Sequence, residues 1–431
     1  PQSPTNMNKR RVVITGMGVV APNAVGLEAF ADALRSGRSG ITHQAELERL
    51  KFGCQVAGMP PLRPGMLEAY LPEVVRRSLK STGVMYAVMA GMDAWKDADL
   101  EIPQADSTPD WDTGCIFGSG MTGAEPLRFG IELVDAGKVR RIGGRLIEQG
   151  MASGPSAFLG GLLGLGNQVS SNAAACATGT EAILQGFHRI QFGLAERMLV
   201  GSCDSSGPYV WGGFDSLRVL SRKYNAEPER ASRPMSATAA GFVPGAGAGA
   251  LVLETLESAQ TRGARIYAEV LGGATNAGGQ RGSGSMTAPN PEGVRHCIQK
   301  ALKQSGISAD EVDGISGHLT ATMGDPLEVQ NWAESLGRSG ADFPCLQAPK
   351  SLIGHCLSAA GSIESVAVAL QLHQNFFHGS LNCEDLHPEI EKVVYPDRIP
   401  QQCREGLGLQ TIVKASFGFG DVNAIAVFRK F

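Results

Sequence analysis

The chain alternates two kinds of segment along its length, and it does so twice over. Arg11 to Val20, RVVITGMGVV, is a short β-branched run closed by glycines, the pattern of a buried strand and its turn. Helical spacing follows at Gly26 to Leu34 and again over Arg76 to Asp99, whose apolar side includes Val84, Val88, Met89 and Met92. Thr113 to Gly118 and Arg197 to Ser202 read as further strands, and Gly241 to Glu254 as a turn and core strand. From Arg265 the order restarts, with a strand to Gly272, a helix over Pro291 to Ser305, a strand at Val312 to Ile315 and a helix from Pro326. A core segment from Ser358 to Leu372 and terminal strands around Thr411 and Ala424 complete it. Strands alternating with helices bury a sheet between helical layers. The rhythm therefore predicts a layered α/β protein of two halves with a changeover near residues 255 to 262. The expectation rests on the order of elements, because the halves share little direct sequence.

At 431 residues the chain is long enough for two packed units. Its 43% hydrophobic and 19% charged residues argue against disorder, and 56 glycines imply many tight turns and close backbone approaches. A net charge of −4 gives no global pull toward nucleic acid or anionic membrane. Nine cysteines without a CxxC or a disulfide framework fit the reducing cytoplasm and imply no zinc site. There is no charge-free apolar run of about 20 residues, so no membrane insertion is expected. Residues 1–10 read as a disordered tail with Met7 as a native start, and Pro60, Pro61, Pro64 and Pro72 make residues 40 to 75 an irregular surface excursion. Neither GMG at Gly16 to Gly18 nor the glycine-rich stretch after Gly241 has the spacing or the lysine of a nucleotide-phosphate loop.

Ser170 to Ile183, SSNAAACATGTEAI, puts Cys176 where a nearly side-chain-free segment ends and a helix running to about Gly193 begins. Free N–H groups and the dipole of a first helical turn stabilise a thiolate. A free cysteine is as a rule a buried small hydrophobe, so Cys176 needs partners. Two of the eight histidines stand in glycine-flanked turns: His318 in DGISGHLTATMGDPLE, and His355 in APKSLIGHCLSAAGS, five residues after Lys350. His188, with no acidic or cysteine neighbour at ligand spacing, reads as surface or packing. A Cys/His pair alone suits a protease-like nucleophile. With a second histidine, a lysine and several hydroxyls, another chemistry fits: an acyl group is taken up as a thioester, and negative charge is then stabilised while a second acyl donor loses CO2 and attacks it. The loop Ala415 to Ala424, ASFGFGDVNA, offers backbone N–H groups for an oxyanion and an apolar wall from Phe417 and Phe419.

These motifs, ACATGTEA, GHLTAT, KSLIGHCLSAAGS and SFGFGDVNA in that order, resemble those of the β-ketoacyl-[acyl carrier protein] synthases, condensing enzymes of the thiolase superfamily, over residues 10 to 430. Ser221 to Pro234, SRKYNAEPERASRP, is similar to the elongation enzymes of bacterial type II fatty-acid synthesis. The resemblance implies a five-layered αβαβα fold of two duplicated halves, here 11–258 with the nucleophile and 259–431 with the histidines. It implies a homodimer, no metal or redox cofactor, and substrates carried on the phosphopantetheine of acyl carrier protein. By the same resemblance Cys176 matches the acylated nucleophile, His318 and His355 the pair serving malonyl decarboxylation, and Lys350 the lysine that organises them, with Glu328 as its acid. Thr320 and Thr322 match the pantetheine hydroxyls, the N–H groups of Cys176 and Phe419 the oxyanion hole, Phe419 with Phe417 the gate, and Met121 the end of the acyl pocket.

The chain departs from that pattern at Leu319 and Ala321, where glycine and serine are usual, and in a segment to Asp325 one residue shorter. It departs again at Ser236, Ala239 and Ala240, where an Arg-Asp pair is common, at Ala415, and at Asp421 in place of a glycine. None removes a catalytic side chain, and together they point away from a housekeeping enzyme toward a specialised fatty-acid, polyene or polyketide pathway. Two other readings compete. A non-catalytic chain-length partner would lose the cysteine that this chain keeps, and a degradative thiolase needs a second active-loop cysteine, which Cys403 is not. Because carrier proteins are acidic, Arg76, Arg77, Lys80, Arg189 and Arg197 are candidates for a docking patch.

Overall fold

The structure, a computed structural model, describes residues 9–104, 106–279, 286–287 and 289–431. The expected tail lies outside these residues except for Lys9 and Arg10, and Arg10 pairs with Glu196.

Two five-stranded halves are built to one plan. The first contains β1 (Val12–Ala21), α1 (Thr82–Asp97), β2 (Thr113–Ser119), β3 (Val169–Ser170), α2 (Thr178–Gln191), β4 (Arg197–Asp204) and β5 (Gly247–Thr255). The second contains β6 (Ala268–Ala277), α3 (Pro291–Ser305), β7 (Gly314–Ser316), β8 (Cys345–Gln347), α4 (Ala360–Gln374), β9 (Thr411–Gly418) and β10 (Val422–Arg429). Their spatial orders, β3-β2-β4-β5-β1 and β8-β7-β9-β10-β6, correspond strand for strand, each with parallel pairs on the outer side and antiparallel pairs toward the centre. Pairing of Val12–Ile14 with Ala268–Val270 joins them edge to edge. The duplication is thus a matter of topology, as the order of elements predicts.

Helices α2 and α4 form the middle layer, with α1 and α3 on the outer faces, giving the five-layered αβαβα arrangement. α4 is buried on nearly all sides, as expected of a helix between two sheets. The two central helices cross at equivalent second positions, Gly179 and Gly361. A Cβ on Gly179 would lie 2.4 Å from Ser362 N, and one on Gly361 2.5 Å from Thr180 N. Close backbone approach there requires glycine and fixes the segment just before α2 against the start of α4.

Two expectations need correction. The helix expected over 76–99 is two helices, Glu73–Ser78 and α1, because Leu79 is extended and the Ser81 hydroxyl caps the second by accepting from Val84 N–H. Residues 40 to 75 are not merely a surface excursion. They pair Ile41–His43 with Val56–Gly58, bury Leu47, Cys54, Val56 and Leu71, and bring Gly58 so close that a Cβ would lie 2.3 Å from Ile353 O.

Candidate active site

The loops that carry the predicted residues leave the same end of the sheets. Cys176 follows β3, His318 follows β7, Lys350 and His355 follow β8, and Phe417 to Phe419 close β9. Carboxyl ends of parallel strands are where α/β sheets form ligand crevices. Here they surround a cavity of about 680 Å³ whose wall includes Cys176, His318, His355, Phe417, Phe419 and Thr320. That volume suits a small organic ligand or a flexible thioester arm.

Cys176 is almost wholly buried and sits in a turn ahead of α2, not on it. Ala175 adopts a left-handed φ of 47°, and Thr178 braces the turn by donating to Ala175 O at 2.6 Å and accepting from Ala174 N at 2.8 Å. Burial pushes the thiol up to about 12, against the opposing pull of Lys350 and of the Phe419 N–H facing the sulfur. The helix-stabilised thiolate expected from the sequence is therefore opposed by burial, which favours the protonated thiol. The loop from β9 packs tightly on this turn, since a Cβ on Gly418 would lie 3.0 Å from Ala174 O and 3.1 Å from Cys176 N.

His318 and His355 meet edge to face with ring centroids 5.3 Å apart. His318 also lies 5.9 Å from Phe417, and His355 lies 5.1 Å from Phe242, centroid to centroid. Phe214, on the helix Pro208–Ser216, contacts both Phe242 and Phe419. In His355, Nδ1 accepts the Leu357 N–H at 3.2 Å, which leaves the ring hydrogen on Nε2. Burial holds both imidazoles well below their ordinary value, and the nearby Lys350 adds to it, so both rings are neutral donors or acceptors at neutral pH.

Lys350 does not pair with Glu328. Its Nζ donates to Glu364 Oε1 at 2.7 Å, deep beneath the histidines. Glu328 instead clamps the His318 turn, accepting from His318 N at 2.7 Å and Leu319 N at 2.8 Å. The reason is spacing: Glu328 lies on the helix Asp325–Leu336, whose first turn folds back under residues 318–321, whereas Glu364 on α4 faces Lys350 directly. Asp325 completes the clamp by accepting from Thr320 N at 2.8 Å and Ala321 N at 3.0 Å. Thr320 and Thr322 hydroxyls lie 3.0 Å apart on the cavity wall.

The departures have structural counterparts. Leu319 is fully buried in the core of the second half, and its side chain leaves no room for a Cβ on Gly317, which would lie 2.6 Å from Leu319 Cδ1. Leu319 and Ala321 take φ of 22° and 63°, held there by the two carboxylates. Ser236 donates to Asp385 Oδ1 at 2.6 Å, and Arg233 reaches Glu384 and Asp385, so carboxylates from a different loop occupy this corner, while Ala239 and Ala240 line the cavity mouth. Asp421 is buried, accepts from Asn290 N at 3.2 Å, and depends on Gly278, where a Cβ would fall 1.6 Å from its Oδ2. Met121 does not line the cavity. It is 47% exposed, with its N–H donating to Asp204.

Sequence reasoning missed Glu364, Lys414, Phe214 and Phe242. A signal existed for the first two, each a single charge inside an apolar run, SIESVAVAL and TIVKAS. A charge buried that way must have a partner.

Among family models, the one described as Beta-ketoacyl synthase, N-terminal domain matches residues 9–259, and Beta-ketoacyl synthase, C-terminal domain matches residues 267–384. The chain is 34% identical over 427 residues to 3-oxoacyl-[acyl-carrier-protein] synthase I, chloroplastic, of Arabidopsis thaliana, covering 98% of this chain and 87% of that protein. Two solved structures cover 98% of this chain and 100% of their own. They are a type II PKS acyl-carrier protein in complex with its ketosynthase bound to the hexaketide (AntDE:AntF; TM-score 0.85, 28% identity) and the ishigamide ketosynthase/chain length factor (TM-score 0.84, 27% identity).

Proposed function

Because the chain belongs to the beta-ketoacyl synthase family, we propose that Cys176 is its acylated nucleophile and that His318 and His355 serve the decarboxylation of a malonyl thioester. The enzyme is a condensing enzyme: it forms a carbon–carbon bond between acyl groups carried on acyl carrier protein. The observation that carries the assignment of residues is the meeting of one thiol and two neutral imidazoles on one apolar-walled cavity. The nucleophile lies in the half 11–258 and the imidazoles in the half 259–431.

The steps balance without a redox partner. In loading, the Cys176 sulfur attacks the acyl thioester, and its proton ends on the departing pantetheine thiol. His318, whose Nδ1 has no hydrogen-bond partner among the described residues, is the imidazole whose tautomer is free to carry that proton. The N–H groups of Cys176 and Phe419 receive the tetrahedral oxyanion. In condensation, malonyl loses CO2 and the electron pair forms an enolate, whose oxygen accepts from His355 Nε2–H. The enolate carbon then attacks the acyl carbon and displaces Cys176 as a thiolate, which takes one proton from solvent to return to the thiol. The hydroxyls of Thr320 and Thr322 hold the pantetheine arm at the cavity wall, and Phe417 and Phe419 gate it. The departures at Leu319, Ala321 and Asp421 fit a specialised fatty-acid, polyene or polyketide substrate.

A dimer suits the exposed edge. β3 pairs only with β2 among the described residues, and its own Val169 is exposed. An open strand edge with an exposed apolar side chain is a pairing surface. The proposed second copy is of this chain, and retention of Cys176 argues that the chain is not itself the non-catalytic partner of a heterodimer.

For the carrier protein, Arg197 is excluded, being bound to the fully buried Glu254, and Arg189 donates to Asn167. Arg76 and Arg77 are partly neutralised by Glu68 and Glu73. Lys80 lies over Phe129 of the helix Ala124–Asp135, and just beyond that helix Lys138, Arg140 and Arg141 are exposed cations with no ion pair among the described residues. Reversing Arg140 and Arg141 to glutamate raises the KM for carrier-bound substrate several-fold and leaves loading from a small acyl thioester unchanged. Equal KM values in parent and variant remove this surface from the proposal.

The function itself is tested by incubating the protein with carrier-bound acyl chains of graded length. The expected result is one acyl mass on the peptide containing Cys176, followed by 3-ketoacyl product and CO2 when malonyl carrier protein is added. An unmodified Cys176 across the series, with no ketoacyl product, overturns it.

A further inference from the structure

Behind the two histidines lies an ionic group larger than the condensing chemistry requires. Glu364 is fully buried, and its carboxylate is held from both sides: Lys350 Nζ lies 2.7 Å from Oε1, and Lys414 Nζ 2.7 Å from Oε2. Lys414 sits in the middle of β9, has no exposed surface, and donates as well to the Ala415 carbonyl. One ammonium suffices to pair one buried carboxylate, and burying a second is costly unless it acts on something nearby.

The elements around Lys414 are those that carry the catalytic pair. From β7 come Ser316, directly beside Lys414 in the parallel register, and His318 two residues on. From the loop after β8 come Lys350 and His355; from α4, Glu364; and from the helix Asp325–Leu336, Glu328, which is pushed up to about 7 by burial. His378 approaches Glu364 from the strand end after Phe377, and Ser416, two residues along β9, bonds Thr180 of α2 at 2.8 Å. Lys414 is also three residues before Phe417 and five before Phe419, so its grip on Ala415 fixes the strand end from which both project.

Resting on the reading of this cavity as a condensing centre, we propose that Lys414 is a positioning residue: by sharing Glu364 with Lys350 it keeps His318 and His355 unprotonated, and by holding Ala415 it sets the strand end bearing Phe417 and Phe419. The physical case is specific to this reaction. The leaving group of decarboxylation begins as a carboxylate, and an imidazolium beside it would hold the charge that must depart as neutral CO2. A neutral ring can instead donate from Nε2 to the enolate oxygen, and the Leu357 N–H already commits His355 to that tautomer. A buried positive charge nearby disfavours a second proton on either ring, and both lysines act on both rings in this sense.

The test follows CO2 release from malonyl carrier protein as a function of pH in the parent, in Lys414→Met, in Lys414→Gln, and in the double variant Glu364→Gln/Lys414→Met, with Cys176 loading recorded for each. Lys414→Met moves the acid limb of CO2 release upward by about one pH unit. Lys414→Gln, which keeps a donor for the Ala415 carbonyl, moves it equally. The double variant, which removes one charge of each sign, returns the limb to the parental position, an outcome that loss of packing alone would not give. Limbs superimposable on the parent in the single variants overturn the inference, as does a double variant displaced as far as the singles. Should Lys414→Met not fold, Lys414→Gln decides in the same way. A parent that releases no CO2 overturns the condensing reading, and this inference with it. A parent that does, with unshifted variants, overturns this inference alone.

Discussion

Cys176→Ala protein forms no 3-ketoacyl product, yet continues to release CO2 from malonyl carrier protein at a residual rate. The sulfur is the atom that carries the acyl chain between the two half-reactions, so its removal takes condensation down on the scale seen when a catalytic nucleophile is lost, roughly 10⁴- to 10⁶-fold. Nothing in the decarboxylating apparatus depends on that atom. His355 is oriented by Leu357, His318 is held through its backbone by Glu328, and both rings face the cavity from the second half of the molecule. Alanine is also tolerated sterically, since Cys176 already lies among Ala174, Ala175 and Ala177 in a turn braced by Thr178. Product analysis by mass and trapping of released CO2 separate the two outcomes. Ketoacyl formation by the alanine variant would remove Cys176 from the mechanism. A complete loss of CO2 release would mean that decarboxylation waits on the acyl-enzyme and not on the imidazoles.

The order of strands and helices, and the residues that meet over the cavity, were legible because they obey local rules. β-branched runs closed by glycines mark β1, β2 and β4, and glycine-flanked turns mark the places where His318 and His355 leave their strands. What the chain did not reveal locally was how its charges are partnered. Glu328 lies ten residues from His318 and looks like an acid for Lys350, but the fold turns its carboxylate onto backbone N–H groups and gives Lys350 to Glu364. Pairing of that kind is settled by the crossing of α4 over β9, a contact between distant segments. The thiol shows the same limit. A helix start argues for a thiolate, but burial, which only the packed structure reveals, favours the protonated form. Arg197 looked like an available surface cation until β4 and β5 brought it to Glu254.

Those same packed charges determine what removal of a histidine does. His355→Ala lowers CO2 release by roughly 10² to 10³, the scale of losing one oxyanion donor, about 3 to 4 kcal/mol, while acyl loading of Cys176 persists. Loading survives because the sulfur and the Phe419 N–H that faces it belong to other elements. Truncation also leaves the Leu357 N–H without its acceptor in a buried site and removes a ring packed on Phe242, at a stability cost of about 1 to 3 kcal/mol. A His355→Asn variant, which keeps a polar group there, separates folding from chemistry: if thermal stability recovers and CO2 release does not, the ring itself is what the reaction requires. In the parent, each imidazole lies well below its ordinary value of 6.5 because of burial. The neutral ring, and with it CO2 release, therefore persists as pH falls through the usual imidazole range and is lost only as pH falls further, through the depressed value. A parent whose CO2 release falls off at the ordinary histidine value, or a His355→Ala protein that matches the parent rate, would take His355 out of the enolate-stabilising role and leave His318 as the donor to test.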